Sequence, residues 1–294
     1  VGHDPGRLWE YVDACEVLGI DSIWLSDRIV SDVLNLEPLI ALSFIAARTT
    51  KLKFGTSVLA LPLRGPTVLA KEIATLDYLS GGRVLPAVGL GTEDDRAFEA
   101  CGSFKRQRGA RTDEAIKVMR LLWSQDNVTF HGDYFTLNDV TVHPKPVQMD
   151  MPPIWIGGRS EAALRRTARI GDGWLVSQAT PDEVGQGIKQ IKAMTLETDN
   201  QIEDDHYGVL FSFCIADTVE EAAVMAAPHM LRRRLDVSYA EFSAFGPSDL
   251  VSQLLDLYIE AGATKFVLRA ACPPEMMDIQ LKMLTEEVIP KYHR

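Results

Sequence analysis

The hydrophobic positions of this chain form two kinds of pattern that alternate along it. Short, continuously apolar runs are typical of buried strands, whereas apolar residues that recur every three or four positions are typical of amphipathic helices. After Pro66, for example, Leu69, Ile73 and Leu76 lie at helical spacing. The apolar runs predict seven strands, over Ser22–Leu25, Phe54–Leu59, Val84–Gly89, Ile154–Gly157, Gly173–Ser177, Gly208–Ile215 and Lys265–Arg269.

This strict alternation predicts an α/β fold in which helical crossovers join parallel strands. We expect one (β/α)8 TIM-barrel domain over residues 1–294. A closed barrel needs eight strands, and this sequence begins with Val1 and a helical pattern, so we expect an N-terminal strand to be missing from it. Residues 130–150 are irregular and predict an insertion before the fifth strand, counting the missing strand as the first. Pro86 lacks a backbone donor and predicts a bulge or a different strand boundary.

Composition and charge exclude several classes of protein. Hydrophobic residues make up 46% of the chain, which is enough for a sizeable core. A formal net charge of −11 without any basic run disfavours nucleic acid as a partner. The longest apolar stretch, Leu39–Ala47, is far shorter than the roughly 20 residues that cross a bilayer. We therefore expect a cytoplasmic protein without a membrane segment.

The cysteines and histidines indicate neither a disulfide framework nor a metal centre. The four cysteines are far apart and form no CxxC pair. The six histidines show no HxH or HExxH spacing that would place two imidazoles on one metal ion. We expect no metal site.

Candidate ligand-binding residues stand where predicted strands end, because strand–helix barrels bind their ligands at that end. Gly157 and Gly158, followed by Ser160, form either a phosphate cradle at a helix N-terminus or an ordinary tight turn with a helix cap, and the pattern favours neither. The Gly89–Glu93 run, with Gly91 and Thr92, repeats the arrangement.

Asp27 and Arg28 at another strand end allow two interpretations. Asp27 accepts a hydrogen bond from a ligand ring while Arg28 neutralises an anionic ring or substrate, or the two side chains form a salt bridge at the rim. The residues alone favour the salt bridge.

Several runs together resemble the luciferase-like monooxygenase family. The runs are Ile23–Asp27, Leu52–Leu59, Leu61–Pro66, Ala74–Arg83, Pro152–Gly158 and Gly171–Trp174. They occur in the family's order from about Gly19 to Trp174, and beyond Gln178 only the strand–helix repeat continues. The resemblance implies a (β/α)8 barrel, usually a homodimer, that uses FMN or the deazaflavin coenzyme F420.

The resemblance also implies roles for particular residues. It places a cis peptide bond between Ser57 and Val58, beside the cofactor ring, and a proton-donor pair at Asp27 and the next position. Here that next residue is Arg28 rather than the family's histidine, and arginine stays protonated, so it is not a conventional acid. Glu93 is a carboxylate nearby in sequence, and the candidate catalytic residues are Asp27, Arg28 and Glu93. The implied cofactor-binding residues are Asp27, Ser57, Val58, Gly89, Gly91, Thr92, Gly157, Gly158, Arg159 and Ser160.

We expect an oxidoreductase that transfers hydride between F420 and a small organic substrate. The alternatives are an FMN-dependent monooxygenase that uses reduced flavin and oxygen, and a non-catalytic flavin-binding barrel. A cofactor-independent lyase or hydrolase would need clustered carboxylates or metal ligands at strand ends, which the sequence lacks.

Overall fold

A computed structural model describes residues 4–149, 151–230 and 234–292. Its helices are α1 (Pro5–Val17), α2 (Pro38–Arg48), α3 (Pro66–Ser80), α4 (Asp95–Ala100), α5 (Arg108–Ser124), α6 (Glu161–Ile170), α7 (Pro181–Thr195), α8 (Val219–Ala226), α9 (Ser248–Glu260) and α10 (Met277–Met283). Its strands are β1 (Ser22–Leu25), β2 (Lys53–Thr56), β3 (Leu59–Ala60), β4 (Val84–Leu85), β5 (Ala87–Gly89), β6 (Val128–His131), β7 (Thr136–Val140), β8 (Trp155–Gly157), β9 (Gly173–Ser177), β10 (Tyr207–Ile215), β11 (Ser243–Gly246) and β12 (Lys265–Ala270). The α/β class is confirmed, and no helix within these ranges is both long and apolar enough to span a membrane.

The chain divides into two compact units. The first unit comprises Val1–Leu18, Gly158–Ala168 and Trp174–Arg294, and the second comprises Gly19–Gly157 and Arg169–Gly173. The single domain and the strand before Val1 stay predictions.

The strands of the second unit, apart from one hairpin, pair in parallel. β2 lies between β1 and β4, and β5 lies between β3 and β8. Two predicted strands are each split in two, because Phe54–Leu59 is interrupted after Thr56 and Val84–Gly89 is interrupted at Pro86. Thr56, before the first break, is joined to Ala87, after the second. The Thr56 hydroxyl donates to the Ala87 carbonyl at 2.7 Å and accepts from the Ala87 N–H at 3.0 Å. The interruption expected at Pro86 is confirmed.

The predicted insertion contains an antiparallel hairpin made of β6 and β7, which begins at Val128. The Glu114 carboxylate holds its turn, accepting hydrogen bonds from the N–H groups of Asp133, Tyr134 and Phe135 at 2.7–2.9 Å. Asp150, at the end of the predicted insertion, lies outside the described residues.

The sheet of the first unit is built around β10. β9 pairs with the first half of one edge of β10, β11 pairs with the second half, and β12 pairs along β10 from Gly208 to Phe213. Alternate side chains of β10, from Tyr207 to Ile215, pack into a core with apolar residues of α7 and α9. The sequence did not predict β11, because its four residues form too short an apolar run.

Candidate functional site

Three strand ends of the second unit meet at Val58. The peptide bond between Ser57 and Val58 is cis, as predicted. A Cβ atom on Gly89 would stand 2.6 Å from Val58 Cγ2, and one on Gly157 would stand 2.8 Å from Val58 Cγ1. These distances are too short for any side chain, so glycine is required where β5 and β8 end beside Val58.

The carboxylate of Asp27 binds Arg64 rather than Arg28, which was its predicted partner. Arg64 donates to Asp27 Oδ2 from Nη1 at 2.5 Å and to Oδ1 from Nη2 at 3.0 Å, and the Ala60 N–H donates to Oδ2 at 2.8 Å. The Asp27 side chain is 2% exposed. The predicted rim salt bridge between Asp27 and Arg28 is therefore wrong, because Arg64 reaches the buried carboxylate with a bidentate geometry that a neighbour in sequence does not offer.

Arg28 remains half-buried at the end of β1. No described residue accepts a hydrogen bond from its guanidinium or forms an ion pair with it. A permanent cation without a protein counter-charge attracts an anionic ligand. The predicted role of Arg28 toward an anionic ring or substrate stays a prediction.

The loop after β5 is exposed and is held by ion pairs. Gly91 and Thr92 are exposed, and Glu93 pairs with Arg108 at 2.6 Å and with Lys105 at 3.2 Å. Hydrogen bonds from Arg108 and Lys105 lower the pKa of Glu93 below the ordinary value of a glutamate. A carboxyl group that stays ionised is a poor proton donor, so the geometry disfavours Glu93 as the catalytic acid.

The Gly158–Ser160 loop belongs to the first unit and begins α6. Gly158 has a φ of +114°, and its carbonyl accepts a hydrogen bond from Trp174 Nε1 at 2.8 Å. The Ser160 hydroxyl accepts from the Ala163 N–H at 3.3 Å, so the predicted helix cap is confirmed. The backbone of this loop approaches α6 closely, because a Cβ on Gly158 would stand 3.1 Å from that of Ala163.

Arg159 lies beside a second arginine. The guanidinium groups of Arg159 and Arg234 both donate to the Gln178 carbonyl, at 3.0 and 2.9 Å. Arg234 also binds the carboxylates of Glu183 and Asp236, each at 2.6 Å. Burial and the nearby Arg234 charge lower the pKa of Arg159. Because two carboxylates already neutralise Arg234, only the Arg159 charge favours an anion at the start of α6.

A recess of about 180 Å³ opens beside Arg159. It is lined by Arg159, Glu161, Leu164, Trp174, Ala179, Glu183, Gln186, Gly187 and Gln190. Glu161 and Glu183 offset part of the positive charge, so only the Arg159 side of the recess suits an anion. Within the described ranges, no three His, Cys, Asp or Glu side chains are grouped so as to hold a metal ion.

Sequence reasoning missed two arginines that organise these loops. Arg64 lies in a run that resembles the family, but nothing in its spacing indicated a pair with Asp27, which is 37 residues away. Arg234 lies in a segment without hydrophobic periodicity, so no pattern marked it. Both contacts depend on tertiary folding.

Parallel strands, alternating helices and glycine-rich strand ends define this chain as an α/β protein whose candidate ligand-binding residues lie where strands end. Residues 2–258 match the family model described as "Luciferase-like monooxygenase". The chain therefore belongs to the luciferase-like monooxygenase family, which confirms the resemblance found in the sequence.

Similar proteins include two called F420-dependent glucose-6-phosphate dehydrogenase. The protein from Kineococcus radiotolerans is 34% identical over 58% of this chain and 52% of its own length. The protein from Amycolatopsis mediterranei is 29% identical over 98% of this chain and 94% of its own length. The chain thus spans about half of the first relative and nearly all of the second.

Two further similar proteins differ from each other in the cofactor that their names give. An "FMNH(2)-dependent dimethylsulfone monooxygenase" from Pseudomonas putida is 32% identical over 61% of this chain and 56% of its own length. A solved "F420-dependent secondary alcohol dehydrogenase in complex with an F420-acetone adduct" matches 99% of this chain and 96% of its own, with a TM-score of 0.83 and 22% identity. The structural likeness shows the shared fold, and the names of these relatives give F420 or FMN as the cofactor of those proteins.

Proposed function

We propose that this chain is an F420-dependent oxidoreductase that transfers hydride between the deazaflavin and a small organic substrate, and that it acts as a homodimer. A relative that aligns along 98% of this chain is named for F420. The observation that carries the proposal is the contact of Val58 with Gly89 and Gly157. Because Gly89 and Gly157 have no side chains, backbone and the Val58 side chain form the surface at these three strand ends. A flat ring system packs well against such a surface.

The residues present fit the two chemical parts of such a cofactor. In the second unit, Ser57, Val58, Gly89, Gly91 and Thr92 supply an apolar wall, backbone N–H groups and a hydroxyl near strand ends. In the first unit, the phosphate-bearing chain suits the turn at the start of α6, where no Cβ stands on Gly158. The residues that we propose to hold the cofactor are Ser57, Val58, Gly89, Gly91, Thr92, Gly157, Gly158, Arg159 and Ser160.

Bound F420 supplies a ring carbon that accepts or releases hydride. Arg28 is proposed to stabilise negative charge that develops during the transfer, because its guanidinium stays protonated. Asp27 is proposed to orient the end of β1 rather than to move a proton, because both of its oxygens are already bound by Arg64 and Ala60. Glu93 is proposed to anchor its loop through Arg108.

FMN-dependent oxygenation is the second candidate. It is supported by the similarity to a monooxygenase that uses reduced FMN. The two candidates differ in the ring that the protein binds more tightly, so a binding measurement separates them.

Titration of the purified protein with F420 and with FMN, followed by fluorescence, tests the proposal. We expect F420 to bind more tightly than FMN, and Gly158→Val and Arg159→Gln each to weaken F420 binding about tenfold or more, since one adds bulk and the other removes a cation. Gly262→Val is the matched control, because Gly262 also has a positive φ, of +99°, in the same unit.

Thermal melts establish that each variant is folded. Tighter binding of FMN than of F420 would favour the second candidate. If the wild-type protein binds neither cofactor, the proposed function is wrong. Unchanged affinity in folded Gly158→Val and Arg159→Gln would show that the phosphate group lies elsewhere.

A further inference from the structure

The two faces of β10 have different chemistry. Tyr207, Val209 and Phe211 alternate along the strand and pack into the apolar core of the first unit. Successive side chains of a strand point to opposite faces, so Leu210 and Ser212 lie on the other face. Polar groups on this second face are therefore not part of the helix-covered core.

Ser212 is the centre of a polar row that crosses three strands. It pairs in parallel register with Ser243 of β11 on one side and with Arg269 of β12 on the other. Paired residues of parallel strands point to the same face, and neighbouring strands are about 4.8 Å apart. The row lies in the C-terminal parts of β10 and β12, and strand–helix folds bind ligands at that end.

Two buried hydroxyl groups, one in this row and one in the turn that leads into β11, have no partner among the described residues. Ser243 is 5% exposed, and its hydroxyl is buried without a hydrogen bond. The hydroxyl of Tyr239, in the 3₁₀ turn Tyr239–Glu241 that leads into β11, is buried and unpaired in the same way. A buried hydroxyl without a partner destabilises a folded protein. Two of them four residues apart indicate a ligand that supplies the missing partners.

The row also contains a fixed cation. Arg269 donates from Nη2 to the His229 carbonyl at 2.7 Å, and this hydrogen bond holds the guanidinium in place. A guanidinium matches the two coplanar oxygens and the single charge of a carboxylate. Phe245 lies two residues after Ser243 on the same face and belongs to an apolar cluster with Met230. An apolar surface thus continues from the polar row.

We propose that Tyr239, Ser243 and Arg269, with Ser212 between the two strands, bind the carboxylate of a small organic acid. This assigns an organic acid as the substrate class of the oxidoreductase, and to that extent it rests on the proposed function. The hydroxyl groups of Tyr239 and Ser243 donate to the carboxylate oxygens. Arg269 neutralises the charge, and Phe245 contacts the hydrocarbon part of the acid.

Isothermal titration calorimetry of the full chain with sodium propionate and with propionamide tests the assignment. We expect saturable binding of propionate and none of the neutral amide. Ser243→Ala and Tyr239→Phe each remove one hydroxyl, so each should weaken propionate binding about tenfold. Because the lost hydroxyl is unpaired in the free protein, both variants should melt at or above the temperature of the wild type.

Thr112→Val is the matched control. Thr112 is fully buried in α5, in the second unit, and its hydroxyl also has no described partner. This variant should likewise keep or raise the melting temperature, but it should bind propionate as the wild type does.

Three results would overturn the proposal: no propionate binding by the wild type, unchanged affinity in both hydroxyl variants, or tighter binding of inorganic phosphate than of propionate. F420 is titrated into the same preparations. A protein that binds F420 but not propionate refutes only the carboxylate site, whereas one that binds propionate but not F420 refutes only the proposed cofactor.

Discussion

At the scale of single residues, Arg64 and Arg28 differ in whether a carboxylate neutralises their charge. Arg64 is 13% exposed and bound to Asp27 and Glu37, whereas Arg28 has no counter-charge among the described residues. Removal of one partner from a buried ion pair destabilises the fold, whereas a cation without a counter-charge at a strand end is available to a ligand. Their substitution should therefore separate stability from function.

Asp27→Asn removes one of the two carboxylates that pair with buried Arg64, so that Glu37 alone remains. We expect the free energy of unfolding to fall by about 2–3 kcal/mol, because the loss of one partner leaves the buried cation only partly compensated. Urea denaturation measures this loss. Asp32 is 88% exposed, so Asp32→Asn should change stability by less than about 0.5 kcal/mol. Equal small effects in both variants would show that the Asp27 pair does not stabilise the fold.

Arg28→Ala should affect ligand binding rather than folding. With no described partner to lose, the variant should keep its stability within about 0.5 kcal/mol. Turnover or cofactor affinity should fall about tenfold or more, because a charge-assisted contact is lost. Steady-state kinetics measure turnover, and urea denaturation measures the free energy of unfolding. Unchanged kinetics would show that Arg28 does not take part in the site.

At the scale of elements, α7 links the apolar core to the charged cluster around Arg234. Its N-terminus is a capping box in which Thr180 and Glu183 exchange hydrogen bonds. Glu183 also binds Arg234, and the indole ring of Trp174 packs against Gly187 in the middle of the helix. The position of α7 thus depends on one ion pair and one close contact.

The two glycines of α7 should respond to alanine in opposite directions. A Cβ on Gly185 would stand 3.5 Å from Ala261, whereas one on Gly187 would stand 2.5 Å from Trp174 Cη2. Gly185→Ala should stabilise by about 0.5–1 kcal/mol through helix propensity, and Gly187→Ala should destabilise by about 1–3 kcal/mol through overpacking. Thermal and urea melts compare the two, and stabilisation by Gly187→Ala would contradict the close contact with Trp174.

The ion pairs around Arg234 should make the free energy of unfolding depend on pH in the acid range. Hydrogen bonds from Arg234 lower the pKa of Asp236 to about 2 and also lower that of Glu183. A depressed folded pKa adds stability above the unfolded value, which is 3.8 for aspartate, and that stability is lost as pH falls through the folded value.

Asp236→Asn should therefore melt below the wild type at about pH 7. The difference should shrink between about pH 5 and pH 2, where the wild-type carboxylate becomes protonated. Glu260 is exposed, and Glu260→Gln is the control, which should have the melting temperature of the wild type at every pH. A difference that stays constant with pH would show that Asp236 acts through something other than its charge.

At the scale of the whole molecule, α2 is apolar on all of its faces. Its one charged residue is Arg48 at the C-terminal end, and Ile40 and Phe44 are 63% and 60% exposed. Val68 of α3, which packs beside α2, is also exposed. A helix that is apolar all round is normally covered, and the expected homodimer provides such a cover.

Light scattering should give the mass of two 32.6 kDa chains. Phe44→Glu should reduce that mass to one chain without lowering stability by more than about 0.5 kcal/mol, because the side chain is exposed. Val224→Glu is the control, since Val224 is 77% exposed on α8 in the other unit. A monomeric wild type would refute the homodimer, and a monomer produced only by Val224→Glu would refute this interface.

The sequence by itself determined the kind of fold and the family. The alternation of apolar runs and helical periods is local, so it predicted α/β order, and the missing backbone donor of Pro86 predicted an altered strand boundary there. The resemblance runs predicted the cis bond at Ser57, which the structure contains. β11 was missed because tertiary pairing with β10, rather than a long apolar run, makes Ser243–Gly246 a strand.

Only the tertiary structure decided which side chains meet. Asp27 and Arg28 are neighbours in sequence, yet Asp27 pairs with Arg64, because the fold brings a bidentate donor to a carboxylate that burial separates from water. The same holds for Val58 between Gly89 and Gly157, and for Ser212 between Ser243 and Arg269. Hydrophobic patterning depends on neighbours along the chain, whereas ion pairs, strand register and unpaired buried hydroxyls depend on neighbours in space.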